Sequence, residues 1–393
     1  MKKVLFVIST LNTGGAQRIF SNIIMAMPGD WQIDILLNDS ENIEFPYRGT
    51  IIDLHMKPEK NKETKLYQLK ALFCRFRTLR RLKKQNGYSA CVSAMDSANF
   101  VNVLTGKKYC KCILTIHGYH VKGWAGKTFE GIADWLVKKT YKKADRVVTV
   151  SQGLKDEMVH KYKLPEDMVS VIYNGYGIDE IRELAKEEPQ IPIPWKDKEK
   201  LLISSGRMEK IKGQWHFLKA FAAVSKEIPQ ARLILLGDGL LRPQLEELAK
   251  KLHIEDKIFF PGFVKNPFAY YKRADLLVLT SLSEGFSNVI VEAMACDLPC
   301  ISSDCATGPG EILKPQGKDY GILTPDFDEE EEWNNEQISP KEQLMADAIC
   351  SVLQDEGRYA YYQRAARVRC MDFDMKRIIH EWVALLESGA KHD

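Results

Sequence analysis

Ala274-Asp275-Leu276-Leu277-Val278-Leu279-Thr280, and three residues later Glu284-Gly285-Phe286-Ser287-Asn288-Val289-Ile290-Val291-Glu292, read as a strand that turns sharply into a helix. The first run is apolar and β-prone, Gly285 permits the turn, Ser287 is a good N-cap, and Val289 to Met294 suits a buried helix. Such a turn leaves the backbone N–H groups of residues 286 to 290 unpaired over the strand end, which makes an anion site. Glu284 stands at the helix mouth and Glu292 about two turns on, roughly 12 Å along the axis at 1.5 Å per residue. A ligand longer than one sugar could touch both. Glu292, set among Val291, Ala293 and Met294, needs a polar partner if it is buried. The plainer alternative gives either Glu a capping or core-network role.

Outward from this unit, strand-like runs alternate with helical ones on both sides. Residues 4–8, 32–37, 50–54, 89–93, 112–116 and 146–150 are apolar, as are 201–205, 231–236, 257–260, 275–280, 299–302 and 320–323. The alternation predicts two Rossmann-like α/β domains with parallel sheets, 1–185 and 195–370, joined by a linker at Pro189, Pro192 and Pro194. A last helical segment, 371–393, is expected to pack back toward the first domain. Ligands of open α/β sheets bind at the carboxyl ends of the strands, so the facing edges of the domains are the expected site.

The 393 residues, 45% hydrophobic and 28% charged, suffice for two full cores. Met1 to Thr10 is better read as a first strand than as a signal segment, and no apolar run reaches the roughly 18 residues of a membrane span. Nine Cys without a C-x-x-C pair point to a reducing cytoplasm rather than to disulfides or zinc. Residues 1–180 carry 28 Lys and Arg against 18 Asp and Glu, whereas the rest carry 28 against 35. The densest stretch, Lys57 to Lys84, holds eleven basic and two acidic residues and reads as a basic amphipathic helix. Leu66, Leu69, Phe73, Phe76, Leu79 and Leu82 mark its apolar side; Arg75, Arg77, Arg80 and Arg81 mark its basic back. That back is either a solvated face or a rest on an anionic membrane.

Thr13-Gly14-Gly15-Ala16-Gln17-Arg18 ends the first strand without the G-x-G-x-x-G spacing or a suitably placed acid, which disfavours dinucleotide binding. Ser204-Ser205-Gly206-Arg207-Met208-Glu209-Lys210-Ile211-Lys212-Gly213 follows the first strand of the second domain, where Arg207 and Lys212 could bracket a diphosphate. Gly237-Asp238-Gly239 is a further strand-to-helix turn. His117, before Gly118 and Tyr119, leaves a strand end of the first sheet and is as apt for substrate contact as for a structural role. Tyr173 to Asp179 carries turn chemistry. The triplets Asp326-Phe327-Asp328 and Asp372-Phe373-Asp374 lie in an acidic loop and among terminal helices, and neither makes a convincing metal site.

Taken in order, Gly14-Gly15-Ala16, His117-Gly118, Val171 to Gly175, Gly206-Arg207 with Lys212-Gly213, Gly237-Asp238-Gly239, Pro261-Gly262-Phe263 and the E-x7-E run Glu284 to Glu292 resemble the retaining glycosyltransferases of family 4, with their GT-B fold. The resemblance implies a nucleotide-sugar donor, most simply a UDP-sugar, held mainly by the C-terminal domain. Arg207 and Lys212 would take the diphosphate, Glu292 the ribose and the Phe263 region the base. Glu284 with Gly285, Phe286, Ser287, Asn288 and Val289 would take the donor sugar; His117 would reach it from the N-terminal side, and Gly15 would border the phosphate and acceptor. Tyr173 departs from the more usual Pro before Asn-Gly. Ser303 to Ile312 looks like a segment of members that build bacterial capsule, O-antigen or lipid-linked glycans. The expected enzyme needs no metal or other cofactor, uses a glycan or lipid-linked acceptor, binds no nucleic acid, and works in the cytoplasm or at the inner face of the membrane. The rival readings are a nucleotide-sugar epimerase or phosphorylase of the same fold, and a non-catalytic nucleotide-sugar-binding protein.

Overall fold

The computed structural model describes residues 2–12, 14–57, 65–118, 127–195, 198–331, 333 and 337–388. Thr13, the 58–64 portion of the basic stretch, Tyr119, Glu332 and the tail from residue 389 lie outside the described residues. The chain forms two α/β units, one of residues 1–176 with 375–393, the other of residues 177–374.

Seven parallel strands build the first sheet: β1 (Lys2–Val7), β2 (Trp31–Leu37), β3 (Thr50–Asp53), β4 (Ala90–Ala94), β5 (Lys111–Ile116), β6 (Arg146–Thr149) and β7 (Val169–Val171), in the order β3-β2-β1-β4-β5-β6-β7. Every residue of β4 and β5 is buried, as expected of strands covered on both faces, including the polar Ser93, Lys111 and Thr115 that interrupt their apolar runs. The sequence gives no sign of β7, because three residues are too few to show a period.

The second sheet has six parallel strands: β8 (Lys200–Ser205), β9 (Ala231–Leu236), β10 (Ile258–Gly262), β11 (Leu276–Leu279), β12 (Cys300–Ser303) and β13 (Ile322–Thr324), ordered β10-β9-β8-β11-β12-β13. Strand order reverses between β1 and β4 in one sheet and between β8 and β11 in the other, the points at which open α/β sheets generally bind their ligands.

The division differs from the expected 185/195 boundary. The first unit ends at Tyr176, whose buried side chain and carbonyl belong to it; the Pro-rich stretch lies well inside the second unit. The helix Met375–Glu387 belongs to the first unit, where the Met375 N–H donates to the Tyr176 carbonyl at 2.8 Å. It buries Ile378, Ile379 and Trp382 and packs on the helix Gly15–Ala26. Lys111 Nζ donates to the carbonyls of Leu385 and Ser388, satisfying the open end of that helix.

Two expectations about side-chain placement are corrected. On the helix Lys65–Gln85, Leu79 and Leu82 are buried and Leu72 and Phe76 pack on the core, but Leu69 and Phe73 point outward. Arg75 is not on the basic back. It is buried and fans over the ends of three strands, donating to Asn38 Oδ1, Ser97 Oγ and Ser9 Oγ at 2.6 to 3.2 Å. The aromatic residues of both D-x-D triplets are also buried: Phe327 stacks on His216 and Phe373 meets Phe286 edge-on at 5.3 Å.

Candidate active site

In the second unit the loops after β8, β11 and β12 meet at the reversal point. The one-turn helix Lys210–Lys212 ends at Gly213, whose φ of +57° and close approach exclude a side chain: a Cβ there would stand 2.3 Å from the Thr280 carbonyl. Thr280 Oγ1 donates to the Lys212 carbonyl, and the Leu282 N–H donates to the Ile211 carbonyl at 2.9 Å. The β8 and β11 loops are thus stitched together across the reversal.

This brings Lys212 Nζ to 2.7 Å from Glu284 Oε1, with both side chains largely buried (22% and 12% exposed). Ser281 Oγ donates to the same carboxylate oxygen at 2.6 Å. Thr307 Oγ1, from the loop after β12, donates to the Glu284 carbonyl, and Ser303 Oγ donates to the Ser281 carbonyl at 2.7 Å. Gly308 lies against the Phe286 backbone, where a Cβ would come within 2.7 Å. Glu284 is therefore held through its side chain by Ser281 and through its backbone by Thr307, while Ser303 holds the Ser281 backbone in place.

The turn itself departs from the expected cap. Ser287 occupies the N-cap position of the helix Asn288–Ala295, but at φ 71°, ψ 63° its hydroxyl makes no capping bond. That hydroxyl is buried and has no hydrogen-bond partner among the described residues. The Ile290 N–H is not available to an anion either, since it donates to the Ser287 carbonyl at 3.0 Å. Phe286 is buried against Phe373, so its side chain is an anchor; Gly285, Asn288 and Val289 are half-buried. Glu292 is buried one turn before Cys296, whose thiol is pushed up to about 12, chiefly by burial and then by the Glu292 charge.

Arg207 and Lys212 are held by different carboxylates. Arg207 is 75% exposed and pairs with Glu209 at 3.0 Å. Phe263 is exposed just past the end of β10, and the Gly237 N–H donates to the neighbouring Gly262 carbonyl at 2.9 Å, tying the ends of β9 and β10. Exposed Leu240, in the loop after β9, was not singled out by the sequence reading.

In the first unit His117 follows β5, and its ring lies edge-on to Phe20 of the helix that Gly15 opens (5.9 Å). Thr115 Oγ1 donates to the Ser93 carbonyl, so it accepts from His117 Nε2 at 2.9 Å. That bond fixes the tautomer with the proton on Nε2. Nδ1 is left as a buried acceptor without a partner among the described residues, and burial pushes the imidazole pKa down to about 4. The ring is neutral at ordinary pH and offers a lone pair.

Residues 185–369 match the family described as Glycosyl transferases group 1, and residues 13–180 match Glycosyltransferase Family 4. An uncharacterized glycosyltransferase of Methanocaldococcus jannaschii is 34% identical over 294 residues, covering 70% of this chain and 72% of that protein. The N-acetylgalactosamine-N,N'-diacetylbacillosaminyl-diphospho-undecaprenol 4-alpha-N-acetylgalactosaminyltransferase of Campylobacter jejuni is 24% identical over 97% of this chain and 98% of its own. Anabaena HepE, solved in complex with UDP and glucose, superposes with a TM-score of 0.73 at 20% identity over 99% of this chain and all of that one.

Proposed function

Because this chain belongs to glycosyltransferase family 4 and is a glycosyltransferase of GT-B fold, we propose that it moves a hexose or N-acetylhexosamine from a UDP-sugar to a hydroxyl of a lipid-linked glycan, with retention at the anomeric carbon, in bacterial surface polysaccharide synthesis. The observation that carries this reading is the Lys212–Glu284 pair set at the strand-order reversal beside the turn 285–289. The UDP bound to Anabaena HepE and the diphospho-undecaprenol acceptor in the name of the Campylobacter relative support the donor and acceptor classes.

Breaking the sugar–phosphate bond puts charge on the departing diphosphate, and a partly desolvated ammonium stabilises that charge far better than one in open water. Lys212 is already drawn from solvent by Glu284 and needs little reorganisation to face a phosphate. Exposed Arg207 closes on the diphosphate from solvent. Glu292 takes the ribose hydroxyls, Phe263 flanks the base, and Glu284 with the turn amides holds the donor sugar. The His117 Nδ1 lone pair accepts from a sugar hydroxyl, and Gly15 leaves room for phosphate and acceptor.

Retention follows from attack on the face that the leaving group vacates. The bond from the anomeric carbon to the phosphate oxygen breaks, the acceptor oxygen bonds to that carbon, and the acceptor proton passes to the departing phosphate. Glu284 is a poor covalent nucleophile, because one of its oxygens already accepts from both Lys212 and Ser281. Lys212 and Arg207 supply the cationic charge, so the reaction is expected to need no metal. A panel of nucleotide sugars, read by thermal shift and then by acceptor-dependent UDP release, tests the assignment. Release of UDP without a glycosylated product, or interconversion of the donor sugar, would replace it, and activity lost in EDTA and restored by Mg²⁺ or Mn²⁺ would replace the metal-free step.

A further inference from the structure

One face of the first sheet has a composition that sugar transfer does not explain. The helices Lys65–Gln85, Asp96–Leu104 and Lys127–Thr140 connect β3 to β4, β4 to β5 and β5 to β6, all stepping the same way along the sheet. Right-handed crossovers place all three on one side, and the helix Gly15–Ala26, which steps the other way, on the opposite side. The packing agrees: the middle helix touches both its neighbours, while Gly15–Ala26 packs on Met375–Glu387.

On Lys65–Gln85 the inward stripe is Ala71, Arg75, Leu79 and Leu82. The stripe opposite it runs Leu69, Phe73, Arg77, Arg80 and Lys84, all exposed. Leu69 and Phe73 are 65% and 63% exposed, and the helix contains no Asp or Glu. The helix Lys127–Thr140 also pairs an apolar side chain with cations: Trp135 is 57% exposed, Lys138 and Lys139 stand exposed beside it, and the neighbouring Asp134 is already engaged by Lys161 at 3.5 Å and by the Tyr162 hydroxyl. Exposed Leu104 ends the helix between them.

A single exposed apolar side chain is ordinary. Two helices on one face that each pair large apolar side chains with cations pose a narrower question of what satisfies both. An acidic soluble partner would use the cations and leave Leu69, Phe73 and Trp135 without gain. A second copy of the chain would set cation against cation. An anionic bilayer satisfies both, with headgroup phosphates at the cations and the apolar side chains at the boundary of headgroups and acyl chains, where a Trp ring is well placed. We propose that this three-helix face docks on an anionic lipid surface, with Leu69, Phe73 and Trp135 entering the interface and Arg77, Arg80 and Lys138 meeting the headgroups. The proposal extends the single basic helix of the sequence reading to a second, Trp-bearing helix, and it stands apart from the choice of donor or acceptor.

Flotation of the full chain with phosphatidylglycerol/phosphatidylcholine vesicles, against phosphatidylcholine alone, tests it without any transfer assay. Wild-type protein should float with the anionic vesicles at low salt and not with the neutral ones. Phe73→Ser with Trp135→Ser should lower the partition coefficient about tenfold or more, from lost apolar burial. Arg77→Glu with Arg80→Glu changes the face by four charges and should lower it on the order of a hundredfold or more. Trp135→Phe should float as wild type yet lose part of the fluorescence quenching by brominated lipid. All these residues are exposed, so unchanged melting midpoints certify folded variants. The proposal is overturned if the wild type fails to float at low salt, if the Phe73/Trp135 double variant floats undiminished, or if that variant instead dissolves a lipid-free dimer of the wild type.

Discussion

Replacing Lys212 by Met keeps the aliphatic stem and removes the charge that faces Glu284 at 2.7 Å. Two separate effects follow. The first is on stability: deleting one partner of a fully buried pair costs about 3–5 kcal/mol, because the remaining charge is stranded. Here Glu284 keeps its bond from Ser281 and is 12% exposed, and Lys212 is 22% exposed, so the cost should shrink to about 1–2 kcal/mol. In a unit of this size that lowers the melting midpoint by about 2–8 °C. The second effect is on the reaction: losing one preorganised donor to a developing negative charge costs about 2.7–4 kcal/mol, or on the order of 10²–10³ in kcat. Donor affinity should fall much less, since the diphosphate gains charge only as the bond breaks. Steady-state kinetics and calorimetric melts of Lys212→Met, Glu284→Gln and the double variant separate the two, and the double variant should recover part of the lost stability. Arg207→Ala, which removes a highly exposed pair, should slow turnover without moving the melt. A Lys212→Met enzyme that turns over within threefold of wild type would refute the role given to this ammonium.

Three further outcomes are expected. Thr307→Val frees the Glu284 carbonyl and should cut kcat about tenfold, with Thr307→Ser restoring most of it; equal loss in both variants would mark Thr307 as merely structural. Glu292→Ala should weaken UDP-sugar binding by about 1.5–3 kcal/mol, and unchanged affinity in a folded variant removes its ribose role. His117, whose folded pKa near 4 lies below its unfolded value of about 6.5, contributes stability that is complete above pH 6.5 and is lost as pH falls toward 4, up to about 3 kcal/mol. The melting midpoint should therefore fall more steeply over that range for wild type than for His117→Gln, and parallel curves would contradict the buried neutral ring.

The fold was legible wherever burial on both faces left a mostly apolar run, as in β1, β4, β5 and β9. It was illegible where the deciding partner is remote in sequence. Arg75 is the clearest case. It shares the stripe of Ala71, Leu79 and Leu82, and its spacing therefore places it inward, yet its charge suggested the solvated back; the acceptors that make burial tolerable come from the loops after β1 and β2 and from the first turn of the helix Asp96–Leu104. Ser281 escaped notice for the same reason, and Ser303 and Thr307 stood out only as part of the segment Ser303 to Ile312, since a hydroxyl acquires a role only when a loop sets it against a particular oxygen. The contiguous run from Glu284 to Glu292 did locate a strand-to-helix turn, but the left-handed conformation expected of Gly285 falls on Ser287 instead. Ser287 shows the limit of that reading: the residue stands at the cap, but its backbone adopts the left-handed conformation and its hydroxyl makes no bond to the helix amides.

The assignment of Met375–Glu387 to the first unit bears on the order in which the chain can fold. Residues 177–374 are continuous and can close as soon as they leave the ribosome, whereas the first unit must wait for its last helix across almost two hundred intervening residues. Until that helix arrives, the side of Gly15–Ala26 that it covers is exposed, and Lys111 has no helix end to bind. A nascent chain halted at Asp374 should then show a protease-resistant second unit and a protease-sensitive first one, with resistance spreading to both only after the remaining residues are released.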